Sequence, residues 1–172
     1  IEDAAQAHGA SQVMLDGSEL VAGSMGDLGC FSFFPSKNMA VGGEGGMLTT
    51  TVEELTDAVS LVVNHGRSPS LESMQLGSNL RMSEVSAAIG IVQLSHLDSW
   101  VMRRREIAEI YHQAFADHPL LETPKVRPGA KHAWHQYCLA TENPDELVSH
   151  LDQHGIDARR YYVTPCHQPV SY

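Results

Sequence analysis

The segment CFSFFPSKNMAVGGEGGMLTT, residues 30–50, predicts the central fold and carries Lys37, one of only three lysines in the chain, with Lys125 and Lys131. CFSFFP has the composition of a β-strand, and GGMLTT ends in a second short strand. Lys37 therefore follows an apolar strand and precedes glycines that let backbone or a ligand approach closely. A desolvated lysine loses its proton more readily and can attack an aldehyde or ketone to form a Schiff base, whereas a solvated surface charge is the alternative interpretation.

Composition limits the classes of protein to which the chain can belong. Its 172 residues are 42% hydrophobic and 19% charged, which is typical of a globular chain with one domain or slightly more. The sequence contains no apolar run of about 18 residues, so no membrane-spanning helix is predicted. The net charge of −10 argues against nucleic acid or an anionic membrane as a partner. Cys30, Cys138 and Cys166 are too few and too scattered for a disulfide framework, so we expect a reducing cytoplasm.

Helix signals follow the glycine-rich stretch. Thr51 and Glu54 form a capping-box pattern, and Ser83 and Asp98 are candidate caps for the next two helices. Helical spacing groups apolar residues on one side of each of these two helices. The second helix has Val85, Ala88, Ile89 and Val92 on one face, and the predicted buried stripe of the third is Ile107, Ala108, Tyr111 and Phe115.

The last third of the chain has a different pattern. Residues 118–132 contain three prolines and predict a domain junction. Residues 133–141 alternate like a strand, Asn143 precedes a proline-led helix that Gly155 ends, and residues 156–165 predict a returning strand. The order of elements predicts an α/β large domain followed by the start of a small α+β domain. The predicted bounds are 1–118 and 119–172.

An acidic residue upstream suggests a partner for the lysine. Asp3 stands at what the sequence indicates is a strand end. Pyridoxal phosphate needs a carboxylate beside its pyridine nitrogen, which keeps the ring protonated so that it acts as an electron sink. Asp3 and Lys37 could fill these two roles if their strands are neighbours. Ser32 offers a hydroxyl to a phosphate, or is simply a polar residue on the solvated side of its strand.

Six blocks in one order resemble the sugar aminotransferase family known as the DegT/StrS group. They are EDAAQAHGA, GSMGDLGCFSFFPSKN, GEGGMLTT, NHGR, GSNLRMSEVSAAIG and QLSHLDSW. HAWHQY and TPCHQPVSY extend the resemblance to the end of the chain. The resemblance implies a pyridoxal-phosphate enzyme of fold type I, the aspartate-aminotransferase-like fold, with 1–118 as the second half of the cofactor-binding large domain and 119–172 as the beginning of the small domain.

The resemblance also implies roles for four residues of the large domain. Lys37 in PSKN corresponds to the lysine that binds the cofactor covalently and moves the proton during transamination. Asp3 in EDAAQ corresponds to the partner of the pyridine nitrogen. Gln6 corresponds to the residue near the cofactor's 3-hydroxyl, and Ser32 in FSFF corresponds to a phosphate ligand.

Two further positions bear on partners and substrate. Asn79 in GSNLRM resembles a residue that reaches the phosphate from the neighbouring subunit, which implies a homodimer with shared active sites. His167 in PCHQP falls where family members place a histidine close to the substrate. The implied reaction moves an amino group from an amino acid, usually glutamate, to a keto nucleotide-sugar in amino-sugar or surface-polysaccharide biosynthesis.

The chain also departs from the family pattern. Residues 11–23 make the Asp3-to-Lys37 interval longer than expected, which a surface hairpin would accommodate. The family's N-terminal half, with its first phosphate-binding turn and ring-stacking aromatic residue, has no counterpart in the sequence, and neither has the C-terminal end. A subgroup with histidine in place of the lysine performs dehydration, so Lys37 favours transamination.

Alternatives remain open at this point. His132, His135 and Cys138, or His150 and His154, have spacings that could place metal ligands on one face. The GGEGG run could belong to a phosphate-binding module, although it lacks the spacing of nucleotide-binding loops. A regulatory relative without turnover is a third possibility. The run at 103–105, three arginines, is expected to be a solvated helix face.

Overall fold

The computed structural model describes residues 1–165 and 167–168, which form two spatial units. The first contains 1–111 and 125–137, and the second contains 112–124 and the described residues from 138 onward. The strands are β1 (Glu2–Asp3), β2 (Ser11–Val13), β3 (Glu19–Val21), β4 (Gly29–Ser32), β5 (Gly46–Thr49) and β6 (Ala130–Lys131). The helices are α1 (Glu53–Val63), α2 (Glu84–Leu94), α3 (Leu97–Phe115) and α4 (Pro144–Gln153).

The first sheet has the strand order β1-β4-β5 and carries the segment that predicted the fold. β1 is parallel to β4, with Asp3 opposite Cys30, and β4 is antiparallel to β5, with Ser32 opposite Gly46. Both strands predicted within residues 30–50 are therefore confirmed. Asp3 and Ser32 are the last residues of two parallel neighbours, so they lie toward the same edge of the sheet.

The second sheet has the antiparallel order β3-β2-β6 and accounts for the extra residues after β1. β2 and β3 form a hairpin whose turn contains Gly17 at a φ of 84°, a left-handed conformation that glycine adopts without steric cost. The carboxylate of Asp16 accepts a hydrogen bond from the Ser18 backbone amide at 2.9 Å. The predicted surface hairpin is confirmed, and residue 131 returns to pair beside Ser11.

The core of the first unit lies between the residues after β4 and helix α3. Because its buried residues come from 33–41, from the start of α3 and from position 133, distant parts of the sequence are packed together. The buried cluster consists of Phe33, Met39, Val41, Leu97, Val101 and Ala133. It therefore anchors the loop that contains Lys37 on both sides of that residue.

Two of the predicted helix starts need correction. The N-cap of α1 is Val52, and the expected Thr51 capping box does not form. Instead Thr50 accepts a hydrogen bond from the Val52 amide through its hydroxyl, at 3.0 Å, which satisfies one end group of the helix. The cap at Ser83 is confirmed, since its hydroxyl accepts from the Ser86 amide at 3.1 Å. α3 begins one residue before Asp98.

The predicted buried stripe of α3 was largely wrong, and the predicted apolar face of α2 is largely exposed. Val85 is 72% exposed and Val92 is 62% exposed, whereas the buried residue of α2 is Gly90. Gly90 is the buried position because it packs closely against Val41, where a β-carbon would come within 3.2 Å of a valine methyl. α3 buries Ala108 as predicted, together with Leu97 and Val101, and leaves Ile107 and Tyr111 exposed.

In the last third of the chain, the helix was predicted correctly and the strands were not. α4 begins with Pro144 after Asn143, and Gly155 follows it at a φ of 72°. Residues 133–141 form no strand beyond an isolated bridge from Ala140 to Glu122, because Trp134 takes a left-handed φ of 47° that interrupts extended backbone. Residues 156–165 have no strand partner among the residues the structure describes.

The predicted domain bounds, 1–118 and 119–172, stay a prediction. Spatially, 125–137 lies with the first unit, where β6 pairs with β2. Within the described ranges, no helix is both long and apolar enough to span a lipid bilayer.

Candidate active site

The candidate site lies at the end of the first sheet where the parallel strands β1 and β4 have their C-termini. In α/β sheets, ligands bind beyond the carboxyl ends of parallel strands. Beyond β1 the chain turns immediately: the Ala4 amide still donates to the Cys30 carbonyl at 2.9 Å, and the Ala7 amide donates to the Ala4 carbonyl at 3.0 Å. Asp3 and the residues of this turn therefore lie beside the end of β4. The strands that carry Asp3 and lead to Lys37 are thus neighbours, as their predicted roles require.

Asp3 and Gln6 are both exposed at this edge. The Asp3 carboxylate accepts a hydrogen bond from the Ala5 amide at 3.0 Å, which fixes the side chain against the turn. The second carboxylate oxygen stays available for a cationic partner. Gln6 lies in the same turn, so its amide belongs to the same edge of the sheet.

Lys37 is half-buried in the loop that follows β4. Its backbone amide donates to the Phe34 carbonyl at 2.9 Å, and the Ser32 hydroxyl accepts from the Phe34 amide at 3.3 Å. The next residue, Asn38, is buried and donates from its side chain to the Ala133 carbonyl at 3.0 Å. The loop that carries Lys37 is therefore fixed by a hydrogen bond at the very next residue.

Sequence reasoning missed His8, a buried histidine in the turn that follows β1. His8 is 3% exposed and packs against the rings of Phe31 and Phe33, with centroid separations of 5.3 and 5.9 Å. Burial is the main cause that lowers its pKa; the positive charge of Lys37 also lowers it, while the Ser32 backbone opposes the shift. The sequence signal that could have pointed to this residue was its place in the turn after a predicted strand end.

The sequence suggested His135 only as a metal ligand, and the structure shows that its pKa is lowered as well. Burial lowers its pKa most, followed by the positive charges of Lys37 and Arg104 and by His8. The pKa values of His8 and His135 are shifted in the same direction, and burial is the first cause for both. Both are favoured as neutral imidazoles at neutral pH, since their pKa values lie below the ordinary 6.5.

Asn79 and His167 lie elsewhere in the chain. Asn79 is exposed in the loop between α1 and α2, where its backbone forms a bridge with Asn64. His167 is exposed in the turn in which the Gln168 amide donates to the Pro165 carbonyl at 2.9 Å. Neither residue has a described hydrogen bond to Asp3, Ser32 or Lys37, so both roles stay predictions.

The expectation of a solvated arginine face on α3 was wrong for two of the three residues. Arg105 donates to the carbonyl of Gly9 at 2.9 Å and to that of His132 at 2.9 Å. Arg104 donates to the carbonyls of Trp134 at 3.0 Å and His135 at 3.3 Å. Only Arg103 follows the prediction, since it pairs with Glu106 on the exposed side of the helix. Arg104 and Arg105 supply hydrogen-bond donors to backbone carbonyls that lie outside helices and strands and therefore need partners.

We expect Arg105→Gln to destabilise the protein by about 1–3 kcal/mol, because it leaves the Gly9 and His132 carbonyls without a charged donor. Denaturant unfolding would measure the loss. Arg103→Gln is the control, since its ion pair is exposed and adds little. Equal unfolding midpoints for the two variants would contradict the role assigned to Arg105.

The histidine and cysteine spacings do not form a metal centre in the described residues. No group of three or more His, Cys, Asp or Glu side chains there has the arrangement to hold a metal ion. His132 instead accepts a hydrogen bond from the Trp134 amide at 2.9 Å. His150 and His154 pack against each other on α4, with ring centroids 4.4 Å apart.

Comparison with known proteins identifies the class to which this fold and site belong. The family model described as the DegT/DnrJ/EryC1/StrS aminotransferase family matches residues 1–172. The chain belongs to this aminotransferase family. The resemblance drawn from the sequence blocks is therefore confirmed over the whole chain.

Individual relatives are nucleotide-sugar enzymes. A dTDP-3-amino-3,4,6-trideoxy-alpha-D-glucose transaminase of Streptomyces venezuelae is 38% identical over 172 residues, which are 100% of this chain and 44% of that protein. A UDP-N-acetyl-3-dehydro-alpha-D-glucosamine 3-aminotransferase of Acidithiobacillus ferrooxidans is 37% identical over 171 residues, 98% of this chain and 44% of that protein. The chain thus spans less than half the length of these curated relatives.

A solved structure confirms the fold. The crystal structure of S. venezuelae DesV in complex with a ketimine intermediate matches with a TM-score of 0.89 and 36% identity, covering 98% of this chain and 44% of that one. The predicted aspartate-aminotransferase-like α/β fold, present in part, is therefore correct.

Proposed function

We propose that the protein carrying this chain is a pyridoxal-phosphate-dependent aminotransferase that transfers an amino group from an amino acid, glutamate by our expectation, to a keto nucleotide-sugar. One observation carries the proposal: the parallel pairing of β1 with β4 brings the carboxylate of Asp3 and the loop of Lys37 to one edge of a sheet. The chain's membership of an aminotransferase family gives that pair a specific chemistry.

The residues present fit this cofactor. The edge offers an amine for its aldehyde, a carboxylate for its ring nitrogen and the Ser32 hydroxyl for its phosphate, with Gln6 beside them for the 3-hydroxyl. The Asp3 carboxylate is exposed and already oriented by the Ala5 amide at 3.0 Å. When bound, pyridoxal phosphate supplies an electron sink that stabilises negative charge developing at the amino donor's α-carbon.

The chain's own residues then divide the work. Lys37 would hold the cofactor covalently through its Nζ, from which an amino donor would displace it. The freed Nζ would accept a proton from the donor's α-carbon as a base and deliver it as an acid to the cofactor's aldehyde carbon. The negative charge of Asp3 favours the protonated ring nitrogen, because an opposite charge nearby stabilises a cation.

Further parts of the proposal concern partners and setting. Asn79 would reach the phosphate of a neighbouring subunit in a homodimer with shared active sites, in keeping with its exposed position. His167 would approach the substrate from the small domain, which we place at 119–172, after the large domain at 1–118. The dTDP- and UDP-linked names of the relatives support a nucleotide-sugar, and therefore a role in amino-sugar or surface-polysaccharide biosynthesis. Cys30 and Cys138, both unpaired, suit the cytoplasm.

The test is to mix the purified protein with pyridoxal phosphate, reduce it with borohydride and map the modified peptide. We expect the cofactor's long-wavelength absorbance band to disappear and a stable adduct to form at Lys37, one of only three lysines in the chain. A panel of keto nucleotide-sugars with glutamate should then give amino sugars. An adduct at Lys125 or Lys131 alone, or no amino transfer to any sugar in the panel, would contradict the proposal.

A further inference from the structure

Gly23 contacts all three strands of the first sheet, although it belongs to none of them. Its amide donates to the carboxylate of Glu2 in β1 at 2.7 Å, and its carbonyl accepts from the hydroxyl of Thr49 in β5 at 2.7 Å. A β-carbon at position 23 would come within 2.3 Å of the Phe31 ring in β4, so the backbone passes directly against that strand. The peptide groups of Gly23 therefore join the two end strands of the order β1-β4-β5.

We call residues 23–25 the strap, because Glu2 binds this segment at both of its ends. The second oxygen of the Glu2 carboxylate accepts from the Met25 amide at 2.9 Å. Hydrogen bonds from backbone amides to a carboxylate are charge-assisted and stronger than those between neutral groups. Gly23 is buried and has a φ of 88°, which glycine adopts without steric cost, whereas Met25 is exposed. The bond to Gly23 is therefore the less solvated of the two, and it contributes more to holding the strap.

Glu2 immediately precedes Asp3, and these two residues are the whole of β1. A strand of two residues has few backbone hydrogen bonds to fix its position against β4, so the side-chain contacts of Glu2 add a substantial part of its attachment. Side chains of successive strand residues point to opposite faces of a sheet. Glu2 therefore holds the strand from one face, while Asp3 presents its carboxylate on the other, where it accepts from the Ala5 amide at 3.0 Å.

We propose that Glu2 is a positioning residue, which fixes β1 through the strap and thereby sets where the Asp3 carboxylate meets the ring nitrogen of pyridoxal phosphate. The inference rests on the proposed function in that it takes Asp3 as the partner of that nitrogen. Glu2 does not itself contact the cofactor, since its carboxylate is bound to the Gly23 and Met25 amides on the opposite face of the strand. It acts only through the strand on which Asp3 lies.

The first experiment measures amide hydrogen exchange by NMR in the cofactor-free protein. Glu2→Gln keeps the shape of the side chain, but it has one acceptor oxygen instead of two and turns an NH2 group toward the strap. The Ala4 amide, which donates to the Cys30 carbonyl, reports the pairing of β1 with β4, and the Ala5 amide reports the carboxylate of Asp3. We expect both amides to exchange about tenfold faster, the scale of losing one hydrogen bond to a charged group. Unchanged exchange at both amides would overturn the proposal.

Glu19→Gln is the matched control for this experiment. The Glu19 carboxylate also binds two donors, the Ser11 hydroxyl at 2.6 Å and the Lys131 ammonium at 2.8 Å, but it does so in the second sheet. Its substitution should leave the exchange rates of Ala4 and Ala5 unchanged. Equal acceleration in Glu19→Gln and Glu2→Gln would indicate a general loss of stability and would refute the positioning role.

Where Glu2→Gln does not fold, Thr49→Val decides the question from the β5 side of the strap. Valine has nearly the shape of threonine but cannot donate to the Gly23 carbonyl, which now accepts from Thr49 at 2.7 Å. The Ala4 and Ala5 amides should then exchange about threefold faster, the scale of losing one neutral hydrogen bond. Wild-type exchange at both amides in folded Thr49→Val would show that the strap does not fix β1.

The second experiment is a double-mutant cycle in the protein loaded with pyridoxal phosphate, read by single-turnover proton transfer from the amino donor. Glu2→Gln should slow this step about tenfold when Asp3 is present, because a displaced carboxylate stabilises the ring less well. In an Asp3→Asn background it should slow the step by less than about twofold, since the charge that Glu2 positions is then gone. Equal slowing in both backgrounds would mean that Glu2 acts without Asp3, contrary to the proposal.

Two outcomes separate this inference from its foundation. Faster exchange at Ala4 and Ala5 of Glu2→Gln, in a protein that aminates no sugar, would sink the proposed function and leave the placement of Asp3 by Glu2 intact. Wild-type exchange in Glu2→Gln, in a protein that does aminate sugars, would refute the role of Glu2 and leave the proposed function standing.

Discussion

Lys37→Ala is expected to abolish transamination, with turnover reduced by roughly a thousandfold or more. Alanine removes both the covalent attachment of the cofactor and the base that moves the proton, and the other lysines of the chain, Lys125 and Lys131, lie outside the loop that follows β4. The fold should survive, because the loop is held by Phe33, Met39 and the Asn38 side chain rather than by the lysine. Steady-state assay of the full protein with glutamate and a keto nucleotide-sugar measures the loss.

The matched control is Lys125→Ala, which removes a lysine from a loop outside the candidate site. We expect its turnover to equal that of the wild type. Circular dichroism and an unfolding curve for both variants would separate a chemical effect from a folding effect. Normal turnover in well-folded Lys37→Ala would rule out the assigned role and with it the aminotransferase mechanism derived from this chain.

Asp3→Asn is expected to leave the cofactor bound and to slow proton transfer on the order of 100-fold, the scale of removing one preorganised electrostatic group from a site. Asparagine has nearly the same shape, and its side-chain oxygen can still accept from the Ala5 amide, which now lies 3.0 Å from the carboxylate. What the substitution removes is the negative charge that favours a protonated ring nitrogen. Single-turnover kinetics with the amino donor isolate this step from product release.

Asp16→Asn provides a closely matched comparison. Asp16 makes the same local contact as Asp3, accepting from the amide two residues on, here Ser18 at 2.9 Å, but in the β2–β3 hairpin. Both variants alter an aspartate in a turn, and only one alters the candidate site. Equal single-turnover rates in the two variants, or loss of cofactor binding in Asp3→Asn, would contradict the assignment.

The sequence predicted the parts of the site that depend on strand order. The strand before Lys37, the lysine itself and the glycine-rich entry to the next strand are patterns of adjacent residues. A parallel neighbouring strand that ends in Asp3 follows from the common topology of α/β sheets. Helix starts at Ser83 and Pro144 were equally local, since caps and first-turn prolines act on the adjacent backbone.

The parts that escaped prediction depend on long-range packing. The apolar face of α2 was assigned from its most hydrophobic residues, yet the buried position is Gly90, chosen by its fit against Val41. The burial of His8 could not be predicted, because it depends on packing against the rings of Phe31 and Phe33. Arg105 looked like one of three surface charges because nothing in its own helix shows that it binds the Gly9 carbonyl.

The hydrogen bond from Asn38 to the Ala133 carbonyl joins residues 95 positions apart. In the second sheet, β6 at residues 130–131 pairs with β2 at Ser11, which is a comparable separation along the sequence. During synthesis, a ribosome-bound chain that has not yet released residue 133 lacks the Ala133 carbonyl as an acceptor for the Asn38 amide. The loop that carries Lys37 therefore gains this contact only after residue 133 has been translated.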